Sequence, residues 1–148
     1  MDLNIETKVI KTFFYKHKQG RLLFELTSNR RQEFIHKLCH RFEEFFKPEV
    51  VYQKSRQFPE LNALCYTMRE FGVSNKCYVF SEYEDFDGIY TNLETAAERL
   101  NCNGFASLMV GLPSGFTHFK AESDRSLQIN FYLKPPRRFD GLPWDKGR

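Results

Sequence analysis

The densest group of reactive side chains in the sequence lies in the stretch FIHKLCHRFEEFF, residues 34–46. His36, Cys39 and His40 fall within five residues. These residue types are found in metal sites and in catalytic sites where a histidine base activates a cysteine nucleophile. Either site needs its members on one side of the backbone. If the stretch is a helix, Cys39 shares the apolar face with the phenylalanines, whereas both histidines lie on the polar face. We therefore predict neither a catalytic centre nor a joint His-Cys-His metal site here.

The two histidines still share one face of that helix, because residues four apart are neighbours. A pair such as His36 and His40 can hold a metal ion, as the histidines of an H-E-x-x-H motif do. The HKLCH sequence lacks the glutamate that follows the first histidine of that motif. We expect solvated histidines, with no functional metal and no cofactor. The sequence leaves open whether the pair binds an adventitious ion.

The other three cysteines, Cys65, Cys77 and Cys102, are widely spaced, and the sequence contains no C-x-x-C pair. Structural zinc sites usually show such close pairs, so a four-cysteine site is not expected. The first residues lack the basic stretch and apolar run of a secretory signal, and no apolar window has the length of a membrane-spanning helix. These features predict a cytoplasmic protein with reduced thiols and no membrane partner.

Four carboxylates lie within the stretch EYEDFDG, at Glu82, Glu84, Asp85 and Asp87. The DFDG portion resembles part of a calcium-binding loop, but the terminal glutamate of such a loop is missing at the required spacing. Asp87 and Gly88 instead suit the positive φ angles of a hairpin turn. We predict an exposed acidic turn in which the four carboxylates dock a basic protein partner.

Charge is unevenly distributed along the chain, whose net charge is only +3. Residues 1–56 hold 12 basic and 7 acidic side chains, which gives a net charge of +5. Residues 57–133 hold 5 and 10, which gives −5, and residues 134–148 hold 5 and 2, which gives +3. A basic front and a basic tail therefore flank an acidic middle, and this asymmetry points to a charged partner unless the fold interleaves the three segments.

The basic front also contains aromatic residues, and this combination supports an alternative function. Lys11, Lys16, Lys18 and Arg21 lie close to Phe13, Phe14 and Tyr15 along the chain. Cations beside exposed rings hold phosphates and stack bases, so the sequence leaves an RNA-binding domain as the alternative to a protein-binding one. The pI of about 8.7 is lower than the value above about 9 that is typical of dedicated nucleic-acid binders.

Two further arrangements would give an enzyme. Ser114 and His118 lie four residues apart around a Pro-Ser-Gly turn, but neither a G-x-S-x-G frame nor a third residue accompanies them. His17 and His118 would supply the acid and base of a small hydrolase or nuclease if the fold brought them together. Nothing in their spacing indicates that they meet. We therefore predict no catalytic residue and keep a small hydrolase or nuclease that uses His17 and His118 as a further alternative.

Periodicity predicts most of the regular structure. Apolar residues at helical spacing predict helices over residues 34–46, 59–71 and 91–100, and alternation predicts a strand over 76–83. Two successive hairpins over 105–133 predict a three-stranded antiparallel meander.

Two shorter stretches are less regular. A strand is predicted at 49–53. Near the start, a turn at Gln19-Gly20 predicts a hairpin over residues 13–26, preceded by a short helix or an irregular segment. A helix over residues 3–14 is the competing interpretation.

These elements predict an α+β fold. We expect one domain over residues 1–133, with a mostly antiparallel sheet of about five to six strands and about three helices packed on one face. Residues 134–148 then form a basic tail rich in proline and glycine, which packs partly through Phe139 and Trp144.

Together these features favour a non-enzymatic cytosolic protein-binding domain. The reactive side chains are divided between core and outer faces, aromatic residues make up 16% of the chain, and acidic residues cluster in its middle. As a specific hypothesis we expect a bacterial immunity protein whose partner is a basic toxin domain. That step rests on the general properties of such inhibitors, which are compact and chemically inert, and on no single residue.

Overall fold

The computed structural model describes residues 1–102, 105–122 and 128–139, without the side chain of Cys102. The described residues form five helices, namely α1 (Leu3–Phe13), α2 (Lys16–Leu26), α3 (Arg31–His40), α4 (Leu61–Glu70) and α5 (Leu93–Cys102). They form six strands, namely β1 (Val51–Ser55), β2 (Val73–Ser81), β3 (Ile89–Asn92), β4 (Ser107–Pro113), β5 (Thr117–Glu122) and β6 (Gln128–Leu133). Short 3-10 helices span Phe42–Glu44, Pro48–Val50 and Glu84–Phe86.

All six strands join one antiparallel sheet in the order β1-β6-β5-β4-β2-β3. β4, β5 and β6 are neighbours, as the predicted meander requires, and His118 in β5 pairs with Met109 and with Tyr132. The α+β class and the antiparallel sheet of about five to six strands are therefore confirmed. The second turn of the meander, predicted at residues 123–126, lies outside the described residues.

The helices cover both faces of this sheet and number five, where about three on one face were predicted. Strand β2 shows the reason. Tyr78 and Phe80 are buried with residues of α1, α2 and α3, whereas Cys77 and Val79 are buried with residues of α4 and α5. A strand that is apolar on both sides needs cover on both sides, so the sheet lies between two helical layers.

The additional helices are α1, which precedes the predicted hairpin, and α2, which lies within it. Val9 and Phe13 continue the four-residue spacing of Ile5, and all three are buried, which is the period of a helix and not of a strand. Asp2 caps α1, since its side chain accepts hydrogen bonds from two N–H groups of the first turn. Gly20, which suggested a turn, lies inside α2 without a positive φ. The hairpin prediction is wrong, and the competing helical interpretation is right for α1.

Helix α3 is shorter than the predicted helix over residues 34–46. It ends at His40 and continues as the 3-10 turn Phe42–Glu44. Its two faces are divided as expected, because Cys39 is buried in the core whereas His36 is exposed. The thiol and the imidazoles of this helix therefore point in different directions.

The described part of the C-terminal segment folds back beside the N-terminal half of the chain. The N–H group of Lys134 donates a hydrogen bond to the carbonyl of Val50 at 2.8 Å. Phe139 is buried, as predicted, and its ring lies 5.9 Å from Nζ of Lys8 in α1. Trp144 lies outside the described residues.

Candidate functional site

An open basic cleft of about 880 Å³ lies where the two ends of the chain come together. Its cationic lining residues come from α1, from α2, from the segment before β1 and from the C-terminal segment: Lys8, Lys11, Lys16, Lys47, Arg137 and Arg138. Thr12, Gln19, Pro136 and Glu49 complete its described lining. Six cationic side chains therefore share the described wall of the cleft with a single carboxylate.

Backbone contacts fix the walls of this cleft. The chain between α3 and β1 crosses the junction of α1 and α2, where the N–H group of Lys47 donates to the carbonyl of Phe13 at 2.9 Å. Beside it, the N–H group of Tyr15 donates to the carbonyl of Phe45 at 2.8 Å. The rings of Phe14 and Phe46 pack edge to face beneath this crossing, with centroids 5.0 Å apart. Backbone hydrogen bonds thus hold Lys47 beside the junction of α1 and α2, which lowers the cost of ordering this part of the cleft when a ligand binds.

The structure divides the four cations that sequence analysis grouped together. Lys11 and Lys16 line the basic cleft. Lys18 and Arg21 line a smaller hollow of about 190 Å³, whose charged lining also includes Lys37, Arg41 and the acidic residues Glu25 and Glu44. Arg21 forms an ion pair with Glu25 at 3.3 Å. Only the first pair therefore belongs to the strongly cationic surface.

Lys47, Arg137 and Arg138 line the cleft, but sequence analysis did not select them. The one available signal was the positive charge of both the front and the tail of the chain. Charge counts along a sequence contain no information about which segments meet, so the convergence of the two basic ends was not predictable from them.

The acidic turn keeps two of its four predicted docking residues on the surface. Glu84 and Asp85 are exposed in the 3-10 turn, and the hydroxyl of Tyr83 donates to Oδ2 of Asp85 at 3.2 Å. The rings of Tyr83 and Phe105 stack in parallel beside them, with centroids 5.4 Å apart, and both rings are more than one-third exposed. Two carboxylates and two rings therefore form one surface patch, which we call the Tyr83 patch.

Asp87 is buried and takes part in an ionic cluster. Its carboxylate accepts two hydrogen bonds from Arg31, at 2.8 and 3.1 Å, and one from the N–H group of Ser81 at 3.0 Å. Arg31 also donates to both carboxylate oxygens of Glu6, at 2.6 and 2.9 Å, and the hydroxyl of Tyr78 donates to Glu6. Burial disfavours the charged guanidinium, but its hydrogen bonds to Asp87 and Glu6 raise the pKa of Arg31. Asp87 therefore joins helices to the sheet and does not form part of an exposed docking surface.

Glu82 lies directly after β2 and contacts both histidines of α3. Its Oε2 atom lies 3.1 Å from Nδ1 of His36 and 3.2 Å from Nε2 of His40. Nε2 of His40 also lies 4.0 Å from a carboxylate oxygen of Glu122. The prediction that the two histidines share a face is confirmed, and the sequence did not predict the carboxylates that meet them.

His118 is fully buried, unlike the exposed His36. It lines a cavity of about 230 Å³ together with Asn130 and Tyr132. Among the described residues, neither of its ring nitrogens has a hydrogen-bond partner, and the same holds for Nδ2 of Asn130. Burial, and then the positive charge of Lys120, lower the pKa of His118 to about 3, so the ring is neutral at pH 7.

The structure does not bring His118 together with the predicted catalytic partners. Its ring neighbours are Phe58 and Tyr132, which belong to the core on the α4 and α5 side of the sheet. His17 is exposed on α2, in the helical layer on the other side, and stacks against Tyr15. The Ser114 hydroxyl accepts a hydrogen bond from the N–H group of Phe116, as expected of a turn residue.

None of the described helices combines the length and apolar character that crossing a membrane requires. Comparison with protein-family profiles, with curated proteins and with solved structures found no match to this chain.

Proposed function

We propose that the protein binds nucleic acid by holding the phosphate backbone in the basic cleft. The observation that supports this proposal is the convergence of six cationic side chains, from four separate segments, on one open cleft whose described lining has one carboxylate. Phosphate contacts by lysine and arginine supply most of the affinity of sequence-independent nucleic-acid binding, because each contact releases condensed counterions.

The composition of the cleft favours a phosphate backbone over a protein segment. Pro136 is the one apolar residue in its described lining. Protein interfaces draw most of their binding energy from aromatic and other large anchors buried in pockets, and the described lining offers no such pocket. Arg137 and Arg138 add planar guanidinium groups, and each such group can donate two parallel hydrogen bonds to the oxygens of one phosphate. The cleft is therefore suited to binding the charged phosphate backbone of a nucleic acid and not to binding the side chains of a protein partner.

The proposal is tested by neutralising, in two separate variants, the four cations that the sequence analysis grouped together. Lys11→Gln with Lys16→Gln removes two positive charges from the cleft. Lys18→Gln with Arg21→Gln removes two charges from the neighbouring hollow and is the matched control. We expect the first pair to weaken binding of a labelled single-stranded RNA by about tenfold or more at low salt, because two phosphate contacts are lost, and the control to change it little.

Fluorescence anisotropy with RNA, single-stranded DNA and a poly-glutamate peptide of similar charge measures these affinities. Thermal unfolding of each variant checks that the fold is kept. Equal losses for the two pairs, or no binding by the wild-type protein at low salt, would contradict the proposal. Tighter binding of poly-glutamate than of either nucleic acid would assign the cleft to an acidic protein instead.

A second candidate function is the docking of a basic protein on the Tyr83 patch. The specific observation in its favour is the pair of stacked, partly exposed rings beside Glu84 and Asp85. Aromatic anchors next to carboxylates suit a cationic partner, since the rings supply buried area and the charges steer encounter. The hypothesis of a bacterial immunity protein that neutralises a basic toxin domain belongs to this class.

The docking hypothesis predicts that Glu84→Lys with Asp85→Lys weakens association with a basic partner and reverses its dependence on salt. Lys37→Glu with Arg41→Glu serves as a charge-reversal control at another surface. The partner is first sought by affinity capture and then titrated by calorimetry against both variants. An affinity that the Glu84 and Asp85 reversal leaves unchanged would remove the Tyr83 patch as the docking site.

A further inference from the structure

We propose that His36, His40 and Glu82 form a binding site for a divalent transition-metal ion of the zinc type. None of these residues lines the basic cleft, so the site is independent of nucleic-acid binding. The inference rests on the meeting of two imidazoles from α3 with a carboxylate that lies 42 residues beyond His40 in the sequence. Imidazole nitrogen and carboxylate oxygen are the ligands that zinc takes in proteins, in addition to thiolate.

The distances between the candidate ligand atoms fit a small ion. Metal–ligand bonds of about 2.0–2.1 Å in a tetrahedral site place neighbouring ligand atoms roughly 3.3 Å apart. The two nitrogen-to-oxygen distances to Oε2 of Glu82 are 3.1 Å for His36 and 3.2 Å for His40. All three ligand atoms lie within 4.8 Å of one another. A modest rotation of the exposed His36 ring would therefore close the third edge around an ion.

The fold holds these groups in place without a metal. His36 and His40 are one helical turn apart, and their rings are tilted by 34° with centroids 4.3 Å apart. Phe34 and Leu38 anchor this helix in the core. The N–H group of Glu82 donates a hydrogen bond to the carbonyl of Ala106 at 3.2 Å, which continues the pairing of β2 with β4. Preorganised ligands lose less entropy when the ion binds.

The local charge also favours a cation. Glu122 at the end of β5 approaches Nε2 of His40 to 4.0 Å and is placed to act as a fourth ligand. Two carboxylates with two neutral imidazoles would balance the charge of a divalent ion. Glu82 and Glu122 therefore both place negative charge beside Nε2 of His40.

A simpler account gives Glu82 the role of hydrogen-bond acceptor for two imidazoles. The same distances would then be ordinary N–H···O contacts, which need no ion. The two accounts differ in what Glu82→Gln does. The amide keeps the size of the side chain and its acceptor oxygen but loses the charge that a metal ligand needs.

Metal binding is measured on the tag-free full chain by titration with Co²⁺, followed by its visible absorption, and by competition with Zn²⁺. We expect one ion per chain, bound through nitrogen and oxygen. His36→Ala, His40→Ala and Glu82→Gln should each weaken binding by roughly tenfold or more, since each removes one of few ligands. His17→Ala, which removes an exposed histidine on α2, is the control and should leave binding unchanged.

Thermal unfolding gives a second readout. An ion that joins α3 to the end of β2 should raise the Tm of the wild-type protein more than that of Glu82→Gln at the same ion concentration, because it binds the folded state alone. Absence of one-to-one binding would overturn the proposal. Binding that His36→Ala abolishes but Glu82→Gln leaves unchanged would also overturn it, because the helical histidine pair would then suffice for an adventitious ion.

Discussion

At the residue scale, the same side-chain types have different roles because of what the fold places next to them. Asp87 and Glu82 both belong to the predicted acidic turn, yet Asp87 binds the buried Arg31 and Glu82 meets two histidines. Their neighbours in the sequence, Glu84 and Asp85, remain exposed. The sequence showed four equivalent carboxylates because the partners that separate them lie on helices more than 40 residues away along the chain.

His118 leads to a prediction about the dependence of stability on pH. Its pKa is about 3 in the folded protein, against 6.5 for an ordinary histidine. The unfolded chain therefore takes up this proton at a higher pH than the folded chain does. The stabilising contribution is complete above pH 6.5 and is lost as the pH falls towards 3, with a slope of up to about 1.4 kcal/mol per pH unit.

Replacement of the ring isolates this contribution from that of the acidic groups, which titrate in the same range. His118→Phe keeps an aromatic ring beside Phe58 and removes the proton-binding group. We expect the difference in free energy of unfolding between wild type and variant to change progressively between pH 7 and pH 4, as measured by urea denaturation. His17→Ala, which removes an exposed histidine from α2, is measured in parallel as the control for the loss of an imidazole. Parallel curves for His118→Phe would show that burial does not depress this pKa.

At the element scale, most of the amphipathic segments were predictable from the sequence, whereas helix α2 was not. Helix α4 and the meander of β4, β5 and β6 follow the apolar spacing seen in the sequence. Helix α2 has no such clear spacing. Its residues Leu22, Leu23 and Phe24 form a short apolar run, and such a run is equally consistent with a strand and with a helix. Tertiary packing against α1 and α3 decides such a segment.

Gly20 tests the helical assignment of α2. Its backbone does not have a positive φ, and an added Cβ atom would meet nothing within 4 Å. Gly20→Ala should therefore stabilise the protein by about 0.4–1 kcal/mol, since alanine restricts the unfolded chain and favours the helix. A hairpin turn at the same place would give the opposite sign.

Gly72 provides the matched comparison in the same measurement. Its φ is +86°, and a Cβ atom there would lie 3.0 Å from Cβ of Ser114. Gly72→Ala should therefore destabilise the protein, as judged by the midpoint of urea unfolding. If Gly20→Ala destabilised it to a similar extent, the helix over residues 16–26 would be contradicted.

At the scale of the whole molecule, the main result is that the two basic ends of the chain share one surface. The sequence predicted a basic front and a basic tail separated by an acidic middle. It did not predict whether folding would interleave them so that their charges cancel. The cleft formed by α1, α2, Lys47, Arg137 and Arg138 shows that part of the positive charge is concentrated. The N-terminal cations were identified in part from the sequence, whereas the C-terminal ones required the fold.

The salt dependence of RNA binding tests the central claim most directly. We expect the binding constant for single-stranded RNA to fall as salt is added. On a plot of its logarithm against the logarithm of salt concentration, each phosphate contact contributes a slope of about −0.7, so six contacts give a slope near −4. Lys11→Gln with Lys16→Gln should make this slope shallower by about 1.4, and Lys18→Gln with Arg21→Gln should leave it unchanged. A slope near zero in the wild-type protein, or equal changes in both variants, would contradict recognition of phosphates in the basic cleft.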